Sequence, residues 1–440
     1  MLTDTSRHSS LLNRFDRARR QTAALFDLVT DEAYYKRPIS LRNPIVFYEG
    51  HISAFAVNTL LKRALGRPGI DDELEVVFAR GIDPETETRG TEAAWPSRER
   101  VKDYVAEADR RLREALEHED LDRPGHPLLE RAEAAYTAIE HEELHQETLH
   151  YIWHRLPDAD KRAPAGYRPD VGGSLPSPRK VRIDAGKARL GADRGEIVFG
   201  WDNESPALEV PVGAFAIDAD DVTNAEYLGF VEDGGYLRES LWTPDSWAWR
   251  LEHEIAHPLF WERDGGGWRW RAMFGSVPLP GAWPVYVSHA EAEAFLRWRG
   301  DRLPTEAEFH RAAFGTPGGS ERAFPWGEQA PEAEHGNFGN RHFDPVAVGS
   351  YPAGVSAWGV RDLVGNGWKW TATPFGPYPG FRAMASYPEY SADFFDNRHF
   401  VMKGASPATP AATIRRSFRN WFRPHYPYVY ATFRGVSSNG

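Results

Sequence analysis

The chain has 440 residues, more than one hydrophobic core usually serves, and it is 41% hydrophobic and 26% charged, so a globular protein of two domains is predicted. Its formal net charge of −12 argues against a nucleic-acid partner. It contains no apolar run of about 18 residues, so no membrane partner is expected. Its N-terminal segment lacks the apolar stretch of a secretory signal, so a cytoplasmic protein is expected. It has no cysteine, which excludes disulfides, thiolate zinc sites and cysteine nucleophiles, so any metal must be held by histidine and carboxylate groups.

The N-terminal part of the chain has apolar side chains at helical spacing. This spacing predicts helices over Leu11–Val29, Val46–Leu65, Ser97–His118 and Pro127–His154. The second helix should end near Gly66 and Pro68, and the third carries Glu/Arg pairs at i,i+4 spacing, which is typical of a solvated helix. Four helices of this length predict a four-helix bundle over residues 1–162.

The composition changes after the fourth predicted helix. Residues 163–180 are rich in Pro, Gly, Ser and Asp and are interpreted as a linker. From residue 181 to 440, short runs that favour strands alternate with Gly/Pro turns, as in Val181–Ala185 and Val210–Ile217. Two short helices are predicted at Asn224–Glu232 and Ser288–Arg299. The whole chain is therefore predicted to be α+β, with a helical first domain and an irregular, strand-containing second domain.

The segment IEHEELHQETLHY places His141 and His145 four residues apart on the fourth predicted helix. Two imidazoles one turn apart share a face and can bind one metal ion. Nearby carboxylates can accept hydrogen bonds from imidazole N–H groups and so orient them. These carboxylates are Glu140, Glu142 and Glu143, and Glu147 completes the pattern His-x3-His-x-Glu.

Other interpretations of this segment stay open. An arbitrary His-x3-His pair is more often a solvated helical face than a metal site, and His150 and His154, also four residues apart, are expected to lie on the surface. The run from His141 to His145 formally satisfies the HExxH pattern of zinc proteases. That interpretation needs a third ligand and a protease cleft, and nothing nearby in the sequence supplies them.

A third histidine on a second helix strengthens the metal hypothesis. His51, in FYEGHISAF, lies near the start of the second predicted helix, and a bundle brings its helices close enough to share an ion. Three neutral imidazoles leave coordination positions open for a substrate and O2. The set of His51, His141 and His145 therefore predicts a mononuclear non-haem iron site.

GHISAF and HEELHQE resemble the iron-binding domain of the ergothioneine-biosynthesis sulfoxide synthases, in which a DinB-like four-helix bundle holds Fe(II) with three histidines. The second half resembles the formylglycine-generating-enzyme (sulfatase-modifying) domain, which has a C-type-lectin-like fold. The segments that carry this second resemblance are Asp221–Tyr236, Arg302–Phe309, Phe324–Gly327 and Leu363–Thr373. Formylglycine formation itself is excluded because that activity requires cysteines and this chain has none.

The resemblance implies an activity and several site residues. In such enzymes hercynine (trimethylhistidine) and a chalcogen donor bind at Fe(II), O2 is a co-substrate, and a bond forms between sulfur and the imidazole carbon. Tyr390, in PEYSADFF, matches the family segment that carries a proton-donating tyrosine. Asn420 and Trp421, in SFRNWFRPHYPYVYATFRG, match residues that bind hercynine, and an indole face suits a quaternary ammonium group. Each of these three residues has a purely packing interpretation as well.

Departures from the sulfoxide-synthase pattern concern the donor. Phe422 and Tyr426 stand where that pattern has an Asp and an Arg that hold γ-glutamylcysteine, so an amino-acid-like donor would lose its ionic partners. Aromatic rings with hydroxyl groups, including Tyr428, suit a neutral sugar better. Leu144 replaces a Gln that contacts hercynine. The closest resemblance is to the selenoneine synthases, which take a selenosugar, and C–Se bond formation is favoured over C–S bond formation with cysteine or γ-glutamylcysteine.

Two further questions stay open at the level of sequence. Arg80 and Arg89, in FARGIDPETETR, could reach the donor, but exposed arginines are the simpler interpretation. The bundle could instead be free of metal, and the lectin-like domain a non-catalytic module that binds sugars or peptides. Iron content after purification distinguishes the two classes.

Overall fold

The computed structural model of the chain describes residues 4–79 and 95–437, and the chain divides into two units. Unit 1 is Met1–Tyr167 with the short segment Met384–Pro388, and unit 2 is Arg168–Ala383 with Glu389–Gly440. The boundary after Tyr167 falls inside the stretch interpreted as a linker. Unit 1 is helical and unit 2 combines short strands with short helices, so the predicted α+β class is confirmed.

Unit 1 contains the four long helices of the predicted bundle. Helix α1 packs against α4 and α5, and α2 packs against the same two helices. The short helix α3, which the sequence did not predict, contacts α2. The helices are α1 (Asp4–Asp27), α2 (Ile45–Ala56), α3 (Asp72–Val77), α4 (Arg98–His118) and α5 (Glu133–Arg155).

Helix α2 continues as a π-helix over Val57–Ala64, where backbone N–H groups bond to carbonyls five residues back. The predicted helix over Val46–Leu65 is therefore one continuous element with two hydrogen-bond patterns. It ends at Ala64, and Gly66 follows with a φ of +65°, the left-handed conformation that glycine adopts without steric cost.

Helix α5 begins six residues later than its predicted start, because Arg131 and Ala132 have φ values of 59° and 58° and cannot be part of a helix. The helix is buried on most of its circumference. The expectation that His150 and His154 lie on the surface is wrong, since each is only 1% exposed. A central helix packed by its neighbours on several sides buries even its polar residues, and sequence periodicity alone does not reveal this.

Unit 2 contains four small sheets. Their strand orders are β1-β4-β12, β10-β9-β8-β11, β2-β3 and β5-β6-β7 in the part of unit 2 that the structure describes. All pairings are antiparallel except that of β11 with β8. The strands are β1 (Lys180–Ile183), β2 (Gly186–Leu190), β3 (Leu208–Val212), β4 (Phe215–Asp218), β5 (Trp261–Asp264), β6 (Gly267–Ala272), β7 (Gly275–Pro278), β8 (Gly367–Pro374), β9 (Phe400–Ala405), β10 (Asn420–Phe422), β11 (Ala431–Thr432) and β12 (Val436–Ser437).

The run Val210–Ile217 was predicted as one strand and forms parts of two. Strand β3 pairs with β2, whereas β4 pairs with β1 and β12, and the break falls at Gly213. The polypeptide changes sheets at this point, so a continuous apolar run serves two separate surfaces. Val181–Ala185 corresponds to β1, which lies at one edge of the first sheet.

Unit 2 also contains helices α6 (Asn224–Glu232), α7 (Pro244–Glu252), α8 (His289–Arg299) and α9 (Glu306–Phe314). The predicted helices that correspond to α6 and α8 are confirmed, and each begins with a capping box, formed by Thr223 and Ser288 respectively. Ile183, Ile217 and Phe309 lie in the hydrophobic core of this unit. Among the described residues, no helix combines the length and apolarity that crossing a bilayer requires.

Candidate metal centre and aromatic cluster

Helices α2 and α5 bring three histidines of unit 1 together. One ring nitrogen from each of His51, His141 and His145 lies within 4.8 Å of the other two. The Nε2 atoms of His141 and His145 are 3.2 Å apart. Two imidazoles that bind one ion side by side have their nitrogens about 3 Å apart, because each metal–nitrogen bond is about 2.1 Å long. The spacing of four residues therefore produces the pair that the sequence predicted, and α2 supplies the third member.

The orientation of His51 is fixed by a backbone group. Its Nδ1 lies 2.7 Å from the carbonyl oxygen of Phe78 and donates a hydrogen bond to it, so Nε2 carries the lone pair. This Nε2 is buried and has no hydrogen-bond partner among the described residues. A buried acceptor without a donor is costly, and a cation bound to it would remove that cost.

The three imidazoles are held neutral, which is the form that binds a metal. Burial lowers the pKa of His51 to about 4, although the bond to Phe78 opposes the shift. Burial also lowers the pKa of His141 well below its ordinary value, and the neighbouring His145 lowers it further. The pKa of His145 is lowered in the same way by burial and by His51. A set of three convergent, neutral nitrogens fits a divalent metal ion.

Aromatic rings of α2 pack against the histidines. Phe47 stacks on His51 with ring centroids 4.8 Å apart, and Phe55 stacks on His141 at 3.6 Å. Because Phe47, His51 and Phe55 are spaced four residues apart, they lie on one face of α2. These stacks restrict rotation of the imidazoles and shield the cluster from water.

The carboxylates next to the histidines serve a different purpose from the one predicted. Glu140 and Glu143 receive hydrogen bonds from Arg14 of α1, with Nη2 of Arg14 2.9 Å from Glu140. The Nδ1 atoms of His141 and His145 have no hydrogen-bond partner within the described ranges. The prediction that these glutamates orient the imidazoles is therefore not met, because arginines from another helix engage them.

Glu142 is also engaged by α1. Thr22 donates a hydrogen bond to it at 2.7 Å, and Nε of Arg19 lies 3.1 Å from its other oxygen. Burial raises the pKa of Glu142 to about 7, with Arg19 opposing the shift. A zinc protease of the HExxH type needs this glutamate beside the metal as a general base, so its engagement by α1 argues against that alternative.

Tyr387 is a neighbour of the cluster that the sequence did not predict. It belongs to the short segment of unit 1, and its ring centroid lies 6.0 Å from that of His141 and 5.0 Å from that of Phe55. The motif YPEY contains two tyrosines three residues apart, and the sequence favoured Tyr390 by resemblance. Nothing in the spacing distinguishes the two.

Tyr390 lies in unit 2, where it stacks on Trp201 with ring centroids 3.9 Å apart. It also meets Trp421 edge-on at 5.2 Å. One face of Trp421 is covered by Phe375, at 4.2 Å and nearly parallel, and Phe394 packs obliquely against the same indole. We call Trp201, Phe375, Tyr390, Phe394 and Trp421 the aromatic cluster of unit 2. The structure thus brings the predicted proton donor, Tyr390, into contact with Trp421, which was predicted to bind hercynine.

The other predicted substrate residues of unit 2 lie close to Trp421 in the sequence. Oδ1 of Asn420 accepts a hydrogen bond from the backbone N–H of Trp421 at 2.9 Å, so its amide Nδ2 is the donor end. Phe422 stacks on Tyr426 with ring centroids 5.0 Å apart, and Tyr428 meets Tyr426 edge-on at 5.1 Å. These rings form a continuous aromatic surface at β10 and the loop that follows it.

Three predicted residues remain. Leu144 lies on α5, next to His145, and is partly exposed. Arg80 and Arg89 lie outside the described residues, so their predicted role stays a prediction.

Comparison with known proteins identifies two families along the chain. The model of the sulfatase-modifying factor enzyme 1-like domain matches residues 170–439, and the model of the DinB superfamily matches residues 14–149. The first of these covers more than half of the chain. The two resemblances stated from the sequence, to a DinB-like domain and to a sulfatase-modifying domain, are therefore confirmed.

Relatives with names that describe an activity or a pathway are also found. The hercynine oxygenase of Mycolicibacterium smegmatis is 38% identical over 308 residues, which are 67% of this chain and 69% of that protein. The hercynine oxygenase of Mycobacterium tuberculosis is 42% identical over 248 residues, 56% of this chain and 57% of that protein. Ergothioneine biosynthesis protein 1 of Neurospora crassa is 28% identical over 509 residues, 94% of this chain and 56% of that protein. The chain thus spans little more than half the length of two of these three relatives.

Three observations agree with one another. They are the order of the two domains, the cluster of three histidines in the first domain, and the identity to the mycolicibacterial protein over most of both chains. This chain belongs to the hercynine oxygenase family of biosynthetic enzymes, in which a DinB-superfamily domain precedes a sulfatase-modifying factor enzyme 1-like domain.

Proposed function

We propose that this chain is an iron- and O2-dependent enzyme that joins a chalcogen atom of a donor molecule to the imidazole ring of hercynine. The observation that carries the proposal is the convergence of His51, His141 and His145 as neutral imidazoles in a largely buried site. The names of the relatives support hercynine as the acceptor, since two of them are hercynine oxygenases.

The three histidines would hold the iron. Iron bound by three imidazoles would supply redox chemistry toward O2 and would keep coordination positions open for substrates. For a thiol donor the reaction balances as follows: an imidazole C–H bond and an S–H bond break, a C–S bond forms, and O2 accepts four electrons to give a sulfoxide oxygen and one water. The protein's own tasks are to orient the two substrates, to exclude bulk water and to supply protons.

Two tyrosines are candidates for the proton donor. Tyr390 is the prediction from the resemblance, and Tyr387 becomes a candidate because its ring packs against the edge of His141. A hydroxyl group near the reacting atoms can donate the proton that reduction of O2 requires, which typically contributes about 10²- to 10⁴-fold in rate. We favour Tyr387, since it belongs to the same unit as the histidines.

Hercynine carries a trimethylammonium group and a carboxylate. The indole ring of Trp421 can attract the ammonium group by a cation–π interaction. The amide Nδ2 of Asn420 can donate a hydrogen bond to the carboxylate. These two assignments stay predictions and are tested by the dependence of KM for hercynine on Trp421→Ala and Asn420→Ala.

The donor has two candidates, and the relatives favour sulfur. Ergothioneine biosynthesis protein 1 is named for a sulfur-containing product, and the reaction with a thiol such as cysteine or γ-glutamylcysteine forms a C–S bond. This is the candidate that family membership supports.

A selenosugar is the second candidate, favoured by the stack of Phe422 on Tyr426. Neither side chain offers a charge to the ammonium or carboxylate groups of an amino-acid donor. A pair of parallel rings with a nearby phenol suits a neutral, hydroxyl-rich molecule, and with such a donor the enzyme would form a C–Se bond.

The test reconstitutes the protein with Fe(II) without oxygen, adds hercynine, and then admits O2 with one donor at a time: cysteine, γ-glutamylcysteine or a 1-seleno sugar. Products are identified by mass spectrometry. An adduct with either thiol supports C–S bond formation, and an adduct formed only with the sugar supports C–Se bond formation. The absence of bound iron and of any product would overturn the proposal and favour a binding module, and turnover without O2 would favour a zinc hydrolase.

A variant with Phe422→Asp and Tyr426→Arg sharpens the choice of donor. If the two rings select a neutral donor, introducing both charges should raise kcat/KM for γ-glutamylcysteine relative to the sugar by about 10-fold or more, because charged groups need paired partners. The matched control is Phe422→Asn with Tyr426→Gln, which changes the same two side chains without introducing charge and should not raise kcat/KM for γ-glutamylcysteine. An unchanged ratio in the charged variant would contradict the assigned role of these rings.

A further inference from the structure

One face of helix α5 carries four polar side chains at intervals of four residues. Glu133, Thr137, His141 and His145 follow one another in this register, so they lie in a row along the helix. The last two are the candidate metal ligands. The first two contact a residue that is distant in sequence, Ser386.

Every polar group of Ser386 has a partner in unit 1. Its Oγ lies 2.9 Å from Oγ1 of Thr137 and donates to Oε1 of Glu133 at 2.9 Å, and its N–H points to the same carboxylate oxygen at 3.4 Å. Its carbonyl accepts from Nη1 of Arg63 at 3.1 Å, and the carbonyl of Ala385 accepts from Nη2 at 2.8 Å. Ser386 and Thr137 are both fully buried, so these bonds are not exchanged with water.

The residue after Ser386 is Tyr387, whose ring lies against His141 and Phe55. One turn of α5 separates Thr137 from His141, and Tyr387 directly follows Ser386 in the chain. The bond between Thr137 and Ser386 therefore sets where Tyr387 stands relative to the histidine cluster.

We propose that Glu133, Thr137 and Arg63 form a dock for Ser386 that positions Tyr387 beside the metal-binding histidines. These three residues, with Ser386 itself, are positioning residues that act through Tyr387. The inference rests on the proposed function for its catalytic consequence, but the geometry of the Ser386 dock can be tested without turnover.

The surroundings of the segment explain why a dock is needed. Ala383, Ala385, Pro388 and Glu389 are exposed, whereas Met384 is buried, so packing next to Ser386 and Tyr387 depends largely on one side chain. A sparsely packed segment loses orientation through conformational entropy unless hydrogen bonds hold it. Five bonds converge on Ser386 and Ala385, and they fix one register of the segment on α5.

The first test is kinetic. Ser386→Ala and Thr137→Val remove dock bonds and should lower kcat by about 10- to 100-fold while iron content and KM stay near those of the parent, because misplacement of a reacting group by about 1 Å has a cost of this size. Thr137→Ser keeps the hydroxyl group and should restore the rate. Thr413→Val, which removes another buried hydroxyl bond, to the carbonyl of Pro410, is the matched control and should have no effect.

A double-mutant cycle separates positioning from general stability. If the dock acts through Tyr387, Ser386→Ala should have no further effect in a Tyr387→Phe background, because the group being positioned is already absent. Equal losses in both backgrounds would show that the dock stabilises the fold without positioning Tyr387, and would overturn the inference.

The second test needs no catalysis. Tyr387 is replaced by 3-fluorotyrosine, and the ¹⁹F NMR signal is recorded before and after addition of Fe(II). The protein with an intact dock should show strong paramagnetic broadening, and Ser386→Ala or Thr137→Val should reduce it and shift the metal-free signal. Spectra unchanged by both substitutions would overturn the inference. If no donor yields product but the ¹⁹F result holds, the proposed function fails and the dock stands; if product forms and the cycle is additive, only the dock fails.

Discussion

In unit 1 the clustered side chains stand on regular helices, whereas in unit 2 they stand on a three-residue strand, β10, and on the loops around it. The helical register alone places His141 beside His145, and only His51 requires tertiary packing. In unit 2, Trp201, Tyr390 and Trp421 come from positions far apart in the sequence and meet without any periodic signal. The comparison shows that helical spacing predicts part of a site from the sequence. In an irregular fold, the sequence spacing does not indicate which side chains come together.

Both units pair their buried charges with groups of opposite charge. In unit 1, Arg19 lies within ion-pair distance of Glu142 on α5 and of Asp109 on α4, and it donates to Ser53 on α2, so one α1 residue joins three other helices. In unit 2, Lys369 and Arg434 surround Asp221 within the core. Breaking a buried pair of this kind leaves an unpaired charge and is strongly destabilising in either unit.

The largest expected effect concerns the histidine cluster of unit 1, whose members stand on regular helices. His141→Ala removes one of three convergent ligands, and the affinity for Fe(II) should fall by more than about 100-fold, since loss of even an outer hydrogen-bond partner commonly lowers metal affinity 10- to 100-fold. Iron content after dialysis measures it. His150→Gln, on the same helix, is the control and should keep iron. Retention of iron by His141→Ala would show that the histidine cluster of unit 1 is not the metal site.

The two tyrosines that lie three residues apart give the next effect. Tyr387→Phe should lower kcat by about 10²- to 10⁴-fold with iron content unchanged, because it removes the hydroxyl group of the tyrosine that packs against His141. Tyr390→Phe preserves the stack on Trp201 and should have the smaller effect on kcat. Single-turnover product formation measures both. The reverse order would show that the resemblance, which favours Tyr390, predicts the proton donor better than the packing does.

A smaller effect on the affinity for Fe(II) tests how His51 of α2 is oriented. A Cβ on Gly50 would lie 2.3 Å from the ring of Phe78, so Gly50→Ala must displace Phe78 and with it the carbonyl that binds Nδ1 of His51. The affinity for Fe(II) should fall by about 10- to 100-fold. Gly213→Ala, at a position where a Cβ meets nothing within 4 Å, is the control. Unchanged affinity would mean that His51 is held by the stack on Phe47 alone.

The smallest effect concerns a buried histidine of unit 2. Burial lowers the pKa of His289 to about 3, although its bond to the carbonyl of Thr371 opposes the shift. In the unfolded chain His289 binds a proton as the pH falls through 6.5, whereas in the folded chain it stays neutral. The contribution of His289 to the free energy of unfolding is therefore present above pH 6.5 and is lost as the pH falls toward 3. His289→Gln should reduce this dependence by up to about 1.4 kcal/mol per pH unit.

Urea unfolding at pH 7 and pH 5, followed by tryptophan fluorescence, measures the dependence of stability on pH for His289→Gln and the parent. An identical dependence in both proteins would show that His289 is not held neutral. A reduced dependence would mean that unit 2 also buries a neutral histidine, but without the converging partners that make a metal site in unit 1.

The amino-acid sequence by itself determined the two-domain α+β organisation, the four long helices and the pairing of His141 with His145, because these follow from composition and from the repeat of an α-helix. It also indicated His51 and the aromatic residues around Trp421, through resemblance. Only the tertiary structure decided that Phe78 orients His51, that Arg14 and Arg19 engage the glutamates beside the histidines, that His150 is buried, and that Ser386 brings Tyr387 to His141. Each of these contacts joins residues far apart along the chain, and local spacing contains no information about such pairs.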